Sequence, residues 1–93
     1  MKIQDIPQSV RICLWSYDID RMDFTLADDR FKLIFNVLNY GTSESTNWLM
    51  KNFSKQEIRE VINQTIKSEW NKKSLSLWSL VFQSFPSRQT RFI

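Results

Sequence analysis

The sequence predicts that residues 29–40 form a helix buried at the centre of a small bundle. Successive residues of a helix are turned by about 100°, which places apolar side chains on two opposite sides of this segment. They are Phe31, Ile34, Phe35 and Leu38 on one side and Leu33, Val37 and Tyr40 on the other. Only Lys32, Asn36 and Asn39 remain, as a narrow polar stripe. A surface helix needs one apolar stripe, so two indicate packing between neighbouring helices.

The chain before this central helix predicts a short helix followed by an ordered loop. Apolar residues repeat at helical spacing after Pro7, a residue favoured in the first turn, which predicts a helix at about 7–15. The loop at 16–28 carries three apolar residues expected to plug the bundle, namely Ile19, Met22 and Phe24. Thr25 and Asp28 loosely fit a reciprocal cap for the central helix.

Two further helices are predicted after the central one, as a pair at about 43–67. Gly41 is expected to end the central helix in the left-handed conformation, which glycine adopts without a steric clash. The third helix then starts at Thr42 or Ser43, and Ser54 with Glu57 fits a capping box that opens the fourth. The third carries Trp48, Leu49 and Phe53 on its apolar side, and the fourth carries Ile58, Val61, Ile62, Thr65 and Ile66.

The last predicted helix covers residues 74–85, after a basic linker at 69–73. The alternating start of this segment also fits a strand, but its length and the lack of a partner strand favour a helix that Pro86 stops. Its helical stripe is Leu75, Trp78, Val81, Phe82 and Phe85. The core predicted for the whole bundle is Leu14, Trp15, Phe31, Ile34, Phe35, Leu38, Trp48, Leu49, Ile58, Val61, Ile62, Trp78, Val81 and Phe82.

The predicted fold is therefore an all-α, single-domain bundle of about five helices spanning residues 1–93, with an ordered core at about 7–86 and flexible termini. One glycine and two prolines leave few sites for tight hairpins, which argues against an all-β fold. A single cysteine, the absence of a signal-peptide pattern and the absence of a membrane-length apolar run predict a cytoplasmic protein with no membrane partner.

Catalysis and metal binding find little support in the sequence. The chain has no histidine, the commonest general base, and its one glycine excludes a phosphate-binding glycine loop. The loop carboxylates Asp18, Asp20 and Asp23 resemble a cation site, but Met22 would stand at a ligand position of a calcium loop. Helix capping and loop hydrogen bonding are favoured for them, and Cys13 is expected to be a buried structural thiol. We therefore expect no enzymatic activity, no cofactor and no metal.

Charge is distributed unevenly, and this raises the possibility of DNA binding. Residues 1–41 hold five Lys and Arg against six Asp, whereas residues 42–93 hold eight against four Glu. The helix pair at 43–67 has the organisation of a helix-turn-helix DNA reader. Its candidate base-facing residues are Lys55, Gln56, Arg59 and Asn63, with Lys51, Lys67, Lys72 and Lys73 on phosphates. Glu57 and Glu60 on the same surface would repel the DNA backbone.

Binding to a protein partner is the other functional hypothesis. Trp70 interrupts a polar linker beside Lys72 and Lys73, which makes these three residues the candidate partner interface. The alternative for Trp70, favoured by the composition of small bundles, is that it folds back as a lid on the core.

Several short motifs resemble a family of small uncharacterised bacterial proteins, often encoded beside nucleotidyltransferase toxins of the abortive-infection type. The motifs are Leu14-Trp15-Ser16-Tyr17-Asp18 with Asp23, Val37-Leu38-Asn39-Tyr40-Gly41, Trp48-Leu49 with Ile58 and Val61, and Ser74 with Leu77-Trp78. The match runs from about residue 14 to 82, with Ser16 where the family usually has Asp and a Trp-rich linker before Ser74. The resemblance implies an antitoxin-like, regulatory role through a protein partner, for which a nucleotidyltransferase toxin is the candidate. It supplies no catalytic residues.

Overall fold

A computed structural model describes residues 6–87 of the chain, and within that range the prediction of an all-α bundle is confirmed. Regular structure there consists of five α-helices and three 3-10 turns, without a β-strand. The helices are α1 (Gln8–Arg11), α2 (Ala27–Tyr40), α3 (Ser43–Asn52), α4 (Lys55–Gln64) and α5 (Lys72–Phe82). The 3-10 turns are Ile12–Leu14, Ile19–Arg21 and Lys67–Glu69. No helix in this part of the chain is long and apolar enough to cross a bilayer. The flexibility predicted for the two ends concerns residues largely outside the described range.

The central position of α2 is confirmed, since it packs against Ile12–Leu14, α3, α4 and α5. The helix begins at Ala27, two residues earlier than the sequence predicts, and the Thr25–Asp28 cap is absent because Leu26 holds the N-cap position and the Thr25 hydroxyl bonds elsewhere. The Thr25 hydroxyl donates to Asp23 Oδ1 at 2.6 Å, and Asp29 Oδ2 accepts the Asp23 N–H at 2.8 Å. The loop before α2 does plug the bundle, with Met22 and Phe24 buried.

Gly41 does not adopt the left-handed conformation that the sequence predicts; its backbone is extended, with φ −79° and ψ 167°. Close packing accounts for the glycine instead. A Cβ at this position would collide with Ser45 Oγ and with the carbonyl of Val37. The left-handed residue is Gln83, with φ 51°, which ends α5 three residues before Pro86. The predicted helix at 74–85 is therefore shifted to Lys72–Phe82.

Helices α3 and α4 start with the side-chain caps expected from the sequence. Thr42 caps α3 in a reciprocal box with Ser45, and Ser54 Oγ accepts the Glu57 N–H at 3.1 Å. The other hydrogen bond of the predicted box, from the Ser54 N–H to the Glu57 carboxylate, does not form. The Glu57 carboxylate turns to Arg30 instead and accepts from its Nε at 2.7 Å. The Arg30 guanidinium also lies over the ring of Phe53, which ties the α3–α4 junction to α2.

The core agrees with the predicted list except at two positions. Trp15 is 77% exposed and Val81 is 52% exposed, so both assignments to the core are wrong. Eight of the predicted residues are buried, namely Leu14, Ile34, Leu38, Leu49, Ile58, Val61, Ile62 and Phe82. Four more are half-buried against them, namely Phe31, Phe35, Trp48 and Trp78. Tyr40 is exposed, so the second apolar side of α2 is covered only through Leu33 and Val37.

Candidate functional site

The acidic loop is organised by its own hydrogen bonds. Asp23 Oδ1 accepts from the hydroxyl and from the backbone N–H of Thr25, which holds the pKa of the Asp23 carboxyl below its usual range. Asp18 lies 3.3 Å from Arg21 in an exposed ion pair. Among residues 6–87, no three His, Cys, Asp or Glu side chains come together as metal ligands. These contacts match the hydrogen-bonding interpretation of the loop.

Cys13 lies in the core, as its place on the first helix predicts. Its Sγ donates to the carbonyl of Ser9 at 3.4 Å, and burial raises the pKa of the thiol. A thiol whose pKa is raised by burial holds less thiolate at neutral pH and is a poorer nucleophile. The geometry of Cys13 is therefore that of a packing residue.

Helix α4 presents the candidate DNA-reading residues to solvent, and Lys55, Gln56, Arg59 and Asn63 are all exposed. The structure removes half of the objection to this hypothesis, because Glu57 points toward Arg30, whereas Glu60 stays exposed and accepts from Gln56 Nε2 at 3.1 Å. It adds another: residues 84–87 run along the C-terminal half of the same helix.

Three hydrogen bonds hold this segment against α4. Ser84 Oγ donates to the Arg59 carbonyl at 2.7 Å, and the Ser87 N–H donates to the Asn63 carbonyl at 3.0 Å. Asn63 Nδ2 donates to the carbonyl of Phe85 at 3.3 Å. One N–H of the Asn63 amide is thereby engaged within the chain, so a base that accepted from it would compete with the Phe85 carbonyl.

The lysines predicted to contact phosphates are spread over separate elements. Lys51 lies in the last turn of α3, Lys67 follows α4 in a 3-10 turn, and Lys72 and Lys73 lie in the first turn of α5. All four are exposed.

The interface hypothesis requires Trp70 to be exposed, but it is only 7% exposed, so the expectation of an exposed hot spot at this position is wrong. The indole Nε1 donates to Thr65 Oγ1 at 2.7 Å, and the ring packs edge-on against Phe35 with 4.9 Å between centroids. The lid interpretation is the correct one. The physical reason is that a buried indole needs a partner for its N–H, and Thr65, just beyond α4, supplies it.

Buried Asn39 sets where α5 begins, a role that the sequence did not reveal. Its Oδ1 accepts the Asn71 N–H at 2.7 Å, and its backbone carbonyl accepts from Ser74 Oγ at 3.0 Å. Asn71 in turn caps α5 by accepting the Lys73 N–H at 3.0 Å. The start of α5 is thus fixed to the last turn of α2.

A second contact fixes the rotation of α5 about its own axis. Trp78 Nε1 donates to the Leu38 carbonyl at 2.8 Å, and Phe82 is buried one turn further on. At about 100° per residue, the side that faces α2 carries positions 75, 78, 79 and 82. The opposite side is therefore turned to solvent.

That solvent side of α5 is apolar. Leu77, Leu80 and Val81 are 52%, 78% and 52% exposed. We call these three residues, with Lys73 and Ser76 on the same side of the helix, the outer face of α5. A shallow, open depression runs along it and is lined by Lys72, Lys73, Ser76, Leu77 and Leu80. Lys72 and Lys73 from the predicted interface thus lie beside exposed leucines and not beside an exposed tryptophan.

Comparisons of the chain with protein-family models, with curated proteins and with solved structures find no match.

Proposed function

We propose that this protein is a non-catalytic binding module that acts through a protein partner, and that the partner binds the outer face of α5. One observation carries the proposal: Leu77, Leu80 and Val81 are exposed together on a helix whose opposite side is already packed. Residues at spacings i, i+3 and i+4 are the usual anchors when a helix docks against another protein. Contiguous exposed apolar side chains of this kind mark interaction surfaces in soluble proteins.

The resemblance noted in the sequence gives one candidate for the partner, a nucleotidyltransferase toxin, and hence an antitoxin-like role. The segments that carry the resemblance include Ser74 and Leu77-Trp78, so part of it lies on α5. A cytoplasmic location fits the buried free thiol of Cys13.

The test compares three forms of the full chain, expressed at native level in the source cell and purified under mild conditions. They are the wild type, Leu80→Gln on the outer face of α5, and Gln64→Ala on the exposed side of α4 as a matched surface control. A protein that travels with the wild type is identified, purified and titrated against all three by calorimetry. We expect Leu80→Gln to weaken binding at least tenfold and Gln64→Ala to leave it unchanged. Equal binding by all three forms would contradict the proposed interface.

DNA binding remains the second candidate function, supported by exposed Lys55 and Arg59 and by the inward turn of Glu57. If DNA is the ligand, Lys55→Ala and Arg59→Ala weaken binding, and the affinity falls steeply with salt because phosphate contacts release counterions. Leu80→Gln would have no effect on it. Gel shifts at 50 and 200 mM salt with these variants therefore separate the two functions.

A further inference from the structure

The outer face of α5 combines apolar and basic side chains in one continuous surface. Lys73 lies one turn before Leu77, and Leu77 one turn before Val81, so a charged end and an apolar middle share one side of the helix. Both lysines of the first turn are exposed, and within residues 6–87 neither forms an ion pair. A ligand that covers the leucines must also meet these two charges.

The charge at this end of α5 is only partly offset, because Glu69, three residues before Lys72, is the one acidic residue near it along the chain. The first turn of the helix holds Lys72 and Lys73 and no acidic residue. Cations at a helix N-terminus also oppose the helix dipole, which favours negative charge there. Carboxylates of a bound partner would relieve both the mutual repulsion of the lysines and this unfavourable placement.

A second copy that packs its own outer face of α5 on this one does not meet this requirement. Residues 70–87 contain no Asp and no Glu. Two outer faces packed against each other would therefore bring lysines and leucines together without supplying a carboxylate. A different protein with acidic side chains fits the surface better.

We infer that the occupant of the outer face is an amphipathic helix of the partner that carries carboxylates at one end of its apolar stripe. Its apolar side chains pack on Leu77, Leu80 and Val81, and its carboxylates pair with Lys72 and Lys73. Two helices pack by interdigitating side chains spaced three and four residues apart, which is the spacing of these anchors. The inference rests on the proposed function, since it names the chemistry of the partner at the same site.

The experiment selects binders from a displayed library of helical peptides. The apolar positions of the library are fixed as Leu, Ile, Val or Met, and the flanking positions are randomised among Glu, Gln and Lys. The bait is the full chain, and the matched baits are Leu80→Gln, the double variant Lys72→Glu with Lys73→Glu, and Gln64→Ala. Far-ultraviolet circular dichroism and urea melts establish that each bait is folded.

We expect peptides selected on the wild type to be enriched in Glu at one end of the apolar stripe. Their binding, measured by fluorescence anisotropy, weakens at least tenfold with Leu80→Gln and is unchanged with Gln64→Ala. The double charge variant should prefer peptides with Lys at the same positions, because the sign of the pairing has been exchanged.

The remaining outcomes separate the two levels of the proposal. Selected peptides that depend on Leu80 but show no preference for Glu would overturn the acidic partner and leave the interface standing. Selected peptides that bind Leu80→Gln as well as the wild type, or no selection above the Leu80→Gln background, would overturn both. A dimer in sedimentation experiments that Leu80→Gln abolishes would make a second copy the occupant and overturn the inference.

Discussion

Helices α4 and α5 both pack against α2 by an apolar side, but their solvent sides have opposite chemistry. The outer side of α4 is polar throughout and carries Lys55, Gln56, Arg59, Glu60, Asn63 and Gln64. The outer side of α5 exposes Leu77, Leu80 and Val81. A polar outer side is what a helix needs to remain in water, whereas an apolar one is maintained at a cost in solubility. This difference is the reason for proposing the binding surface on α5 and not on α4.

The two helices also differ in how they are attached to the bundle. Helix α4 follows α3 after two residues, and its own Ser54 caps it. Helix α5 is separated from α4 by seven residues, 65–71, and its start is fixed by the hydrogen bond from Asn71 to Asn39, next to buried Trp70. The orientation of α4 is therefore determined largely by local sequence, while that of α5 depends on distant residues. Substitutions on the two sides of α5 and in the residues that hold its start test this difference, with expected losses of unfolding free energy from the largest to the smallest.

The largest effect is expected on the inner side of α5, at Phe82. Replacing this buried residue with alanine removes its packing against the core and leaves a cavity, which typically costs about 3–5 kcal/mol of unfolding free energy. The measurement is a urea melt followed by circular dichroism. Phe85→Ala is the control, because Phe85 is 65% exposed and its truncation should cost about 0.5 kcal/mol or less. Equal losses at both positions would show that the inner and outer assignments in this part of the chain are wrong.

Trp70 is expected to stabilise the connection into α5 almost as strongly. Trp70→Ala should cost about 3–5 kcal/mol because it empties the space against Phe35. Trp70→Phe keeps a ring there and loses the bond to Thr65, which costs about 1 kcal/mol. Trp15→Ala is the matched control, since this indole is 77% exposed. Urea melts should show the largest loss of stability for Trp70→Ala, a smaller loss for Trp70→Phe and the smallest for Trp15→Ala. A Trp70→Ala variant as stable as Trp15→Ala would contradict the burial of Trp70 against the core.

Asn39 is expected to matter for α5 and not for α4. Asn39→Ala leaves the Asn71 N–H without its acceptor in a half-buried position, which costs about 1–3 kcal/mol. Native-state hydrogen exchange should show the loss of protection concentrated in α5, with α4 protected nearly as before. Asn36→Ala serves as the control, because that buried amide donates only within α2, to Lys32. A uniform loss of protection over both helices would show that α5 does not depend on Asn39 for its local stability.

The difference between the two helices also explains what the sequence could and could not predict. The start of α4 was predicted correctly because Ser54 marks it and one apolar stripe repeats along the helix, although α4 ends at Gln64, before the predicted stripe residues Thr65 and Ile66. In α5 both sides are apolar, and periodicity identifies which residues share a side without showing which side is covered. Val81 was assigned to the core for this reason.

The side that is covered is decided by contacts over long sequence separations, from Asn39 to Asn71 and from Leu38 to Trp78. Trp70 was placed in a polar linker, and its burial depends on Thr65 and Phe35, which only the folded chain brings to it. Lys72 and Lys73, which the sequence placed at a candidate interface, are exposed, but the sequence did not indicate that exposed leucines lie beside them.

The smallest expected effect on stability is at Leu80, the most exposed apolar residue on the solvent side of α5. The side chain is 78% exposed, so its replacement removes little packing, and glutamine is about as good a helix former as leucine. Leu80→Gln should change the unfolding free energy by about 0.5 kcal/mol or less, as should Gln64→Ala on α4. Urea melts of the two variants beside the wild type provide the measurement. A loss above about 2 kcal/mol, within the usual range for deleting a buried leucine, would mean that Leu80 is covered in the isolated chain. If Leu80→Gln leaves the unfolding free energy nearly unchanged and weakens partner binding, Leu80 contributes to recognition and not to folding.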